Sequence, residues 1–144
     1  MKYLGLDVGK KTIGVAVGEV LAAELTTLRA GKEETFYTEP AKSRSFKDLR
    51  TILEEEKADA VVVGLPVTED GRPTEESKLI DQYASELEAA LEVSVLKVDE
   101  TLTSFMAEDM LQSQGLDLSV VEKRRDQLAA QLILQQYLEE HETL

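Results

Sequence analysis

Apolar and polar positions along the first thirty residues recur with the period of β-strands, not of helices. Residues 2–8, 12–18 and 23–30 each carry such a run, and Gly9 with the polar pair Lys10-Lys11 forms a tight turn between the first two. The pattern predicts an antiparallel meander. Residues 31–42 read as a polar loop containing Pro40. Beyond it Phe46, Leu49, Ile52 and Leu53 follow helical spacing, with Ser43 or Ser45 as the expected cap. Residues 60–64 (AVVVG) are a short unbroken apolar run, as expected of a strand covered on both faces, and Pro66 is expected to end it because it cannot donate to a ladder. The stretch "VTEDGRPTEES" is a loop with an Asp70-Gly71 turn, from which Thr74 and Ser77 lead into a helix through about Leu91. Residues 93–98 form another buried-type strand, and two helices follow, roughly over 104–113 and 120–139.

This order predicts one α/β domain over residues 1–144. It holds a mixed five-stranded sheet of three antiparallel strands and two more, covered by helices. The right-handed crossover rule places the fourth and fifth strands parallel to the first.

Three acidic elements break the apolar pattern. Asp7 lies near the end of the first strand, Asp99-Glu100 directly follows the fifth, and ligand sites in such sheets lie at the carboxyl ends of parallel strands. In the last helix Ala129, Ala130, Ile133, Leu134 and Tyr137 fall within about 80° of Asp126 at about 100° per residue, so this carboxylate is centred on an apolar arc. The polar stripe runs elsewhere, through Gln127, Gln131 and Gln135. An ionised carboxylate facing a core is costly unless it is paired or holds a metal. Each acid also has a plainer reading. Asp7 suits a turn with Gly9, and Asp99-Glu100 suits a loop capping the helix at 104. Asp126 suits an acid answering the helix dipole or pairing with Arg125 or Lys123. A single site accounts for all three at once.

Composition narrows the chemistry. The chain has no cysteine and one histidine, His141 in an acidic tail, which excludes thiolate and multi-histidine metal sites and fits a reducing compartment. A carboxylate-only site favours Mg2+ or Mn2+ over zinc. Two such ions about 3.5–4 Å apart can activate a water and stabilise the leaving oxygen of a phosphodiester. No apolar run approaches the ~20 residues of a membrane span, so a cytoplasmic protein is expected. With 16 basic and 29 acidic residues the net charge is −13, which argues against broad nonspecific affinity for nucleic acid. The dense basic spots, Lys10-Lys11 and Lys123-Arg124-Arg125, each adjoin an acidic element.

The segments "LGLDVGKKTIGVAV", "VVVGLP" followed by "EDG", "VDETLTS" and "DQLAAQLILQQYL" resemble, in order and spacing, the YqgF family, also called RuvX, of pre-16S ribosomal RNA nuclease and Holliday junction resolvase-like proteins. The match runs from about residue 2 to 138. The resemblance implies an RNase H-like fold and a divalent-metal nuclease (Mg2+ or Mn2+) of the cytoplasm. Such an enzyme helps mature the 5′ end of 16S ribosomal RNA, with precursor ribosomal RNA as substrate and the small ribosomal subunit as a partner. Some members are assigned junction-resolving activity on DNA. Carried onto this chain, the catalytic acids are Asp7, Glu100 and Asp126, and the metal set is Asp7, Asp99, Glu100 and Asp126, with Asp99 in reserve for Glu100. Gly9, Lys11, Arg72, Arg124 and Arg125 are the expected contacts to the nucleic-acid backbone, in a monomer or homodimer. Thr101 stands where the family commonly carries arginine. A noncatalytic nucleic-acid or ribosome-assembly module on the same fold is the competing reading.

Overall fold

The computed structural model describes residues 1–100 and 103–141, the side chains at 103–106 and 108 excepted. Strands β1 (Tyr3–Val8), β2 (Thr12–Gly18) and β3 (Ala22–Arg29) form the expected meander. Helix α1 (Ala41–Glu56) then returns the chain to β4 (Ala60–Pro66), and α2 (Glu75–Leu91) to β5 (Ser94–Glu100). Helices α3 (Thr103–Ser113) and α4 (Leu118–His141) complete the order. The sheet order is β3-β2-β1-β4-β5, with β4 parallel to β1 and β5 parallel to β4, as the crossover rule requires.

The alternation of β1 assigns its residues to two faces. Leu4, Leu6 and Val8 join Val15, Val61 and Val63 under α1 and α2, where Leu49, Ile80, Tyr83 and Leu87 close the larger core. Tyr3 faces the other way and joins Ala16, Val62 and, from α4, Ala130, Ile133, Leu134 and Leu138. Helix α3 covers α4 in turn, through Ala107, Leu111, Leu128 and Ala129. Helix α4 is therefore buried on two sides.

Three expected boundaries move. Helix α1 starts at Ala41, directly after Pro40, with no side-chain cap. Ser43 instead donates its N–H and its hydroxyl to the Glu39 carboxylate (2.9 and 2.7 Å), and Ser45 is buried against the Tyr83 hydroxyl at 2.6 Å. Strand β4 runs past Gly64 and ends on Pro66, as expected of that residue; Pro66 fits as the last position because pairing with β1 ends at Leu6↔Val63 and its missing N–H faces no strand, while Val67 N–H donates to the Glu100 carbonyl at 3.0 Å on the β5 side. Strand β5 consequently runs on through Asp99 and Glu100. The start of α2 follows expectation: Thr74 and Ser77 form a reciprocal capping box, the Ser77 N–H donating to Thr74 Oγ1 at 3.0 Å. Gly71 occupies the left-handed region, φ 79°, in the turn after Asp70. Among the described residues no helix is long and apolar enough to cross a membrane.

The α4 face of the sheet is lined with glycine where the helix crosses it. A Cβ at Gly5 would stand 2.6 Å from Leu134 Cβ, one at Gly64 2.7 Å from Ile133 Cδ1, and one at Gly14 would overlap the backbone carbonyl of Asp126. Backbone cannot step aside as a side chain can. Gly14→Ala is accordingly expected to destabilise the fold by about 1–3 kcal/mol or more. Gly9→Ala, whose Cβ would meet only Thr12 O at 3.2 Å, is expected to cost less. Urea unfolding midpoints of the two variants measure the difference.

Candidate active site at the carboxyl edge of the sheet

Asp7 points to the α4 face, two residues beyond Gly5, and its cross-strand partner on β2 is Gly14. Because α4 rests its backbone on Gly14 at Asp126, the Asp126 carboxylate is delivered beside Asp7. The Asp126 residue is 7% exposed, as its place on the apolar arc requires. Its Oδ1 lies 3.6 Å from Arg125 Nε, and its Oδ2 is buried with no hydrogen-bond partner among the described residues.

Alternation along β5 separates the acidic pair. Glu100 shares the α4 face with Leu96 and Val98, and its carboxyl carbon folds back over Gly64, 3.2 Å from where a Cβ would stand. Asp99 turns to the α2 face and lines a separate cleft of about 340 Å³ with Leu65, Pro73, Lys78 and Asp81. Asp99 is thus not brought together with the other acids of the expected metal set.

The electrostatics of Asp7 record this convergence. Burial first, then the charges of Glu100, Asp126 and Glu76, raise its carboxyl from the usual 3.8 to about 8; Arg125 pulls weakly the other way. Glu76, in the first turn of α2, was not among the expected site residues, since an acid there reads as a partner for the helix dipole. Tyr37 also went unnoticed. Its hydroxyl is buried without a hydrogen-bond partner among the described residues, and burial, Glu76 and Asp7 push its ionisation up, so it stays protonated. The only signal for it was an aromatic pair, Phe36-Tyr37, in an otherwise polar loop whose Phe36 is buried.

The expected basic contacts divide. Lys11 Nζ donates to the carbonyls of Gly31, Lys32 and Glu34 at 3.0, 2.9 and 2.5 Å, so its three donors staple a loop and none points to a ligand. Gly9 closes the β1–β2 turn by donating to Thr12 O at 2.8 Å, without a left-handed backbone. Arg124 is paired with Glu24 of β3 at 2.8 Å. Arg125 Nε lies 3.6 Å from Asp126 Oδ1, and its charge also acts on Asp7. Arg72 is exposed on the hairpin closed by Val67 and Pro73. Thr101 lies outside the described residues.

An oxygen-only donor set with an orphaned, buried Asp126 Oδ2 fits a hard divalent cation. Among the described residues, however, no three acidic or histidine groups are gathered tightly enough to hold an ion as they stand.

A family model described as "RuvX: Holliday junction resolvase" matches residues 1–140. The chain belongs to the RuvX family. Curated RuvX relatives include the protein named "Putative pre-16S rRNA nuclease" of Chloroflexus aurantiacus, 37% identical over 139 residues that make up 94% of this chain and 85% of that one. The protein of the same name from Synechococcus elongatus is 36% identical over 95% of this chain and 88% of its own. Among solved structures, Thermus thermophilus RuvC in complex with a Holliday junction substrate superposes with a TM-score of 0.58 at 19% identity, over 99% of this chain and 96% of that one. At that identity the likeness is one of fold, and the fold is RNase H-like. The expectation of a RuvX-type nuclease, hydrolysing phosphodiester bonds, is met at the level of family and fold.

The Asp7 carboxyl has a testable signature. Its folded value lies above its unfolded one, so its favourable contribution to stability is complete below pH 4 and is lost as pH rises through about 8. Without divalent cations, Asp7→Asn is expected to gain on the parent by up to about 1.4 kcal/mol per pH unit across that window and to match it near pH 4. Thermal melts of both proteins from pH 4 to 9 in EDTA measure this.

Proposed function

We propose that this RuvX protein is a divalent-metal-dependent endonuclease that cleaves structured precursor ribosomal RNA, in 5′-end maturation of 16S RNA. The observation that carries the reading is the meeting of three carboxylates from β1, β5 and α4 at one sheet edge, where burial and like charge hold Asp7 up to about 8. Such a site has no structural use for its charges. Asp7, Glu100 and Asp126 would hold Mg2+ or Mn2+, which when bound supplies Lewis-acid stabilisation at phosphorus and a nucleophilic water. The chain's own residues do the remainder. Arg125 counters the cluster's charge from α4, and the hairpin carrying Arg72 places one exposed guanidinium for the nucleic-acid backbone. The hydroxyl of Tyr37, kept protonated, offers a hydrogen-bond donor close to Asp7 and Glu76.

The names of the relatives point to RNA, whereas the description of the family model points to a DNA junction. Incubation with Mn2+ and two labelled substrates, precursor ribosomal RNA and a four-way DNA junction, separates them. The parent is expected to cut the RNA, and Asp7→Asn and Asp126→Asn to lower the rate at least about 100-fold while remaining folded. Asp99→Asn is expected to retain most activity. Parental rates in Asp7→Asn would overturn the proposed centre. Absence of carboxylate-dependent Mn2+ binding by titration calorimetry would favour a noncatalytic assembly module.

A further inference from the structure

A second groove, of about 550 Å³, runs beside the acidic edge between β3 and the first turns of α4. Its lining takes Thr26, Thr27 and Arg29 from the strand and Ser119, Lys123, Arg124 and Gln127 from the helix, together with one carboxylate, Glu122. Thr27 pairs with Gly14, which pairs with Asp7, so the three lie in one row across the sheet. Two strand spacings put the groove about 10 Å from Asp7, the distance of a neighbouring nucleotide rather than of the reacting phosphate.

The groove owes its composition to an irregularity in β3. Ala16 pairs with Glu24 but Val15 pairs with Thr26, leaving Leu25 as an extra residue. The bulge shifts the alternation by one, so Thr27 and Arg29 face α4 where an unbroken strand would present Thr26 and Leu28. On the near side of the bulge Glu24 still faces α4 and anchors Arg124 at 2.8 Å. Arg29 Nη2 approaches the Lys123 carbonyl at 3.5 Å, and both side chains belong to exposed residues. The Thr27 hydroxyl oxygen is buried without a hydrogen-bond partner among the described residues. With Arg124 held by Glu24, the two exposed cations Arg29 and Lys123 outweigh the one carboxylate of Glu122, so in a chain of net charge −13 the groove is a local site for an anion of extended shape.

We propose that this groove seats the sugar-phosphate backbone of the RNA strand next to the cleavage point, with Arg29 and Lys123 as its phosphate contacts. The assignment rests on the nuclease reading above. It makes the two cations positioning residues that bind substrate and do no chemistry.

The test compares the parent with the Arg29→Ala/Lys123→Ala protein. The measurements are steady-state cleavage of labelled precursor RNA with Mn2+, and anisotropy of the same RNA in EDTA between 50 and 200 mM KCl. The double variant is expected to raise KM and Kd about tenfold with kcat unchanged, and to flatten the log–log salt dependence by about 1.5. Arg29→Lys/Lys123→Arg should retain binding. Lys47→Ala/Arg50→Ala, removing the same charge from α1 on the opposite face, should leave KM and slope unchanged. Parental cleavage with an unaltered KM and salt slope in the groove variant overturns the groove alone. Salt-dependent RNA binding lost in that variant, from a parent that cleaves nothing, supports the groove and overturns the nuclease reading. A parent that binds no RNA overturns both.

Discussion

The missing side chain at Gly14 is the contact on which the candidate site depends. It allows the backbone of α4 to lie directly on β2, with the carbonyl of Asp126 in the space a methyl group would fill. Cross-strand pairing puts Asp7 at the same level on β1, so two carboxylates separated by more than a hundred residues of chain become neighbours. Gly64 repeats the device on β4, where Ile133 settles from the helix and Glu100 folds over from β5. Close approach of helix and sheet is usually a matter of packing density. Here it also sets the distance between charges.

That closeness has an electrostatic consequence. At Asp7 the charges of Glu100, Asp126 and Glu76 act together with burial to favour the protonated form, and Arg125 acts against them. Other cations nearby are already engaged: Lys11 by three carbonyls and Arg124 by Glu24. In isolation the cluster relieves itself by protonating Asp7. A cation bound there would displace that proton, which couples metal affinity to pH and metal loading to stability.

Much of the fold was legible because strand and helix periods leave clear traces. The meander, the two crossovers and the capping box at Thr74 all follow from local residue choice. Asp126 stood out because a charge on an apolar arc demands a reason. What local pattern cannot carry is facing and occupancy. Asp99 and Glu100 are adjacent and chemically alike; alternation sends them to opposite sides of the sheet, and only the register of β5 against β4 decides which of them faces α4. Lys11 looked available because its acceptors, the carbonyls of Gly31, Lys32 and Glu34, sit twenty residues further along and a carbonyl has no sequence signature. Glu76 and Tyr37 lie near Asp7 only through tertiary placement, and the start at Ala41 reflects Pro40 and Glu39 standing in for a serine cap.

The bulge at Leu25 divides β3 into two independently aimed halves. The half before it holds the hairpin to α4, through Glu24 with Arg124 and through the Ala22 N–H donating to Gln135 at 2.8 Å. The half after it faces the groove with Thr27 and Arg29. Were the strand to straighten here while keeping all its residues, the second half alone would slip by one, turning hydroxyl and guanidinium to the opposite face and bringing Leu28 toward the helix, with β1, β2 and the acidic edge untouched. The presence or absence of one bulge in an edge strand is therefore enough to add or remove a binding surface beside the acidic edge.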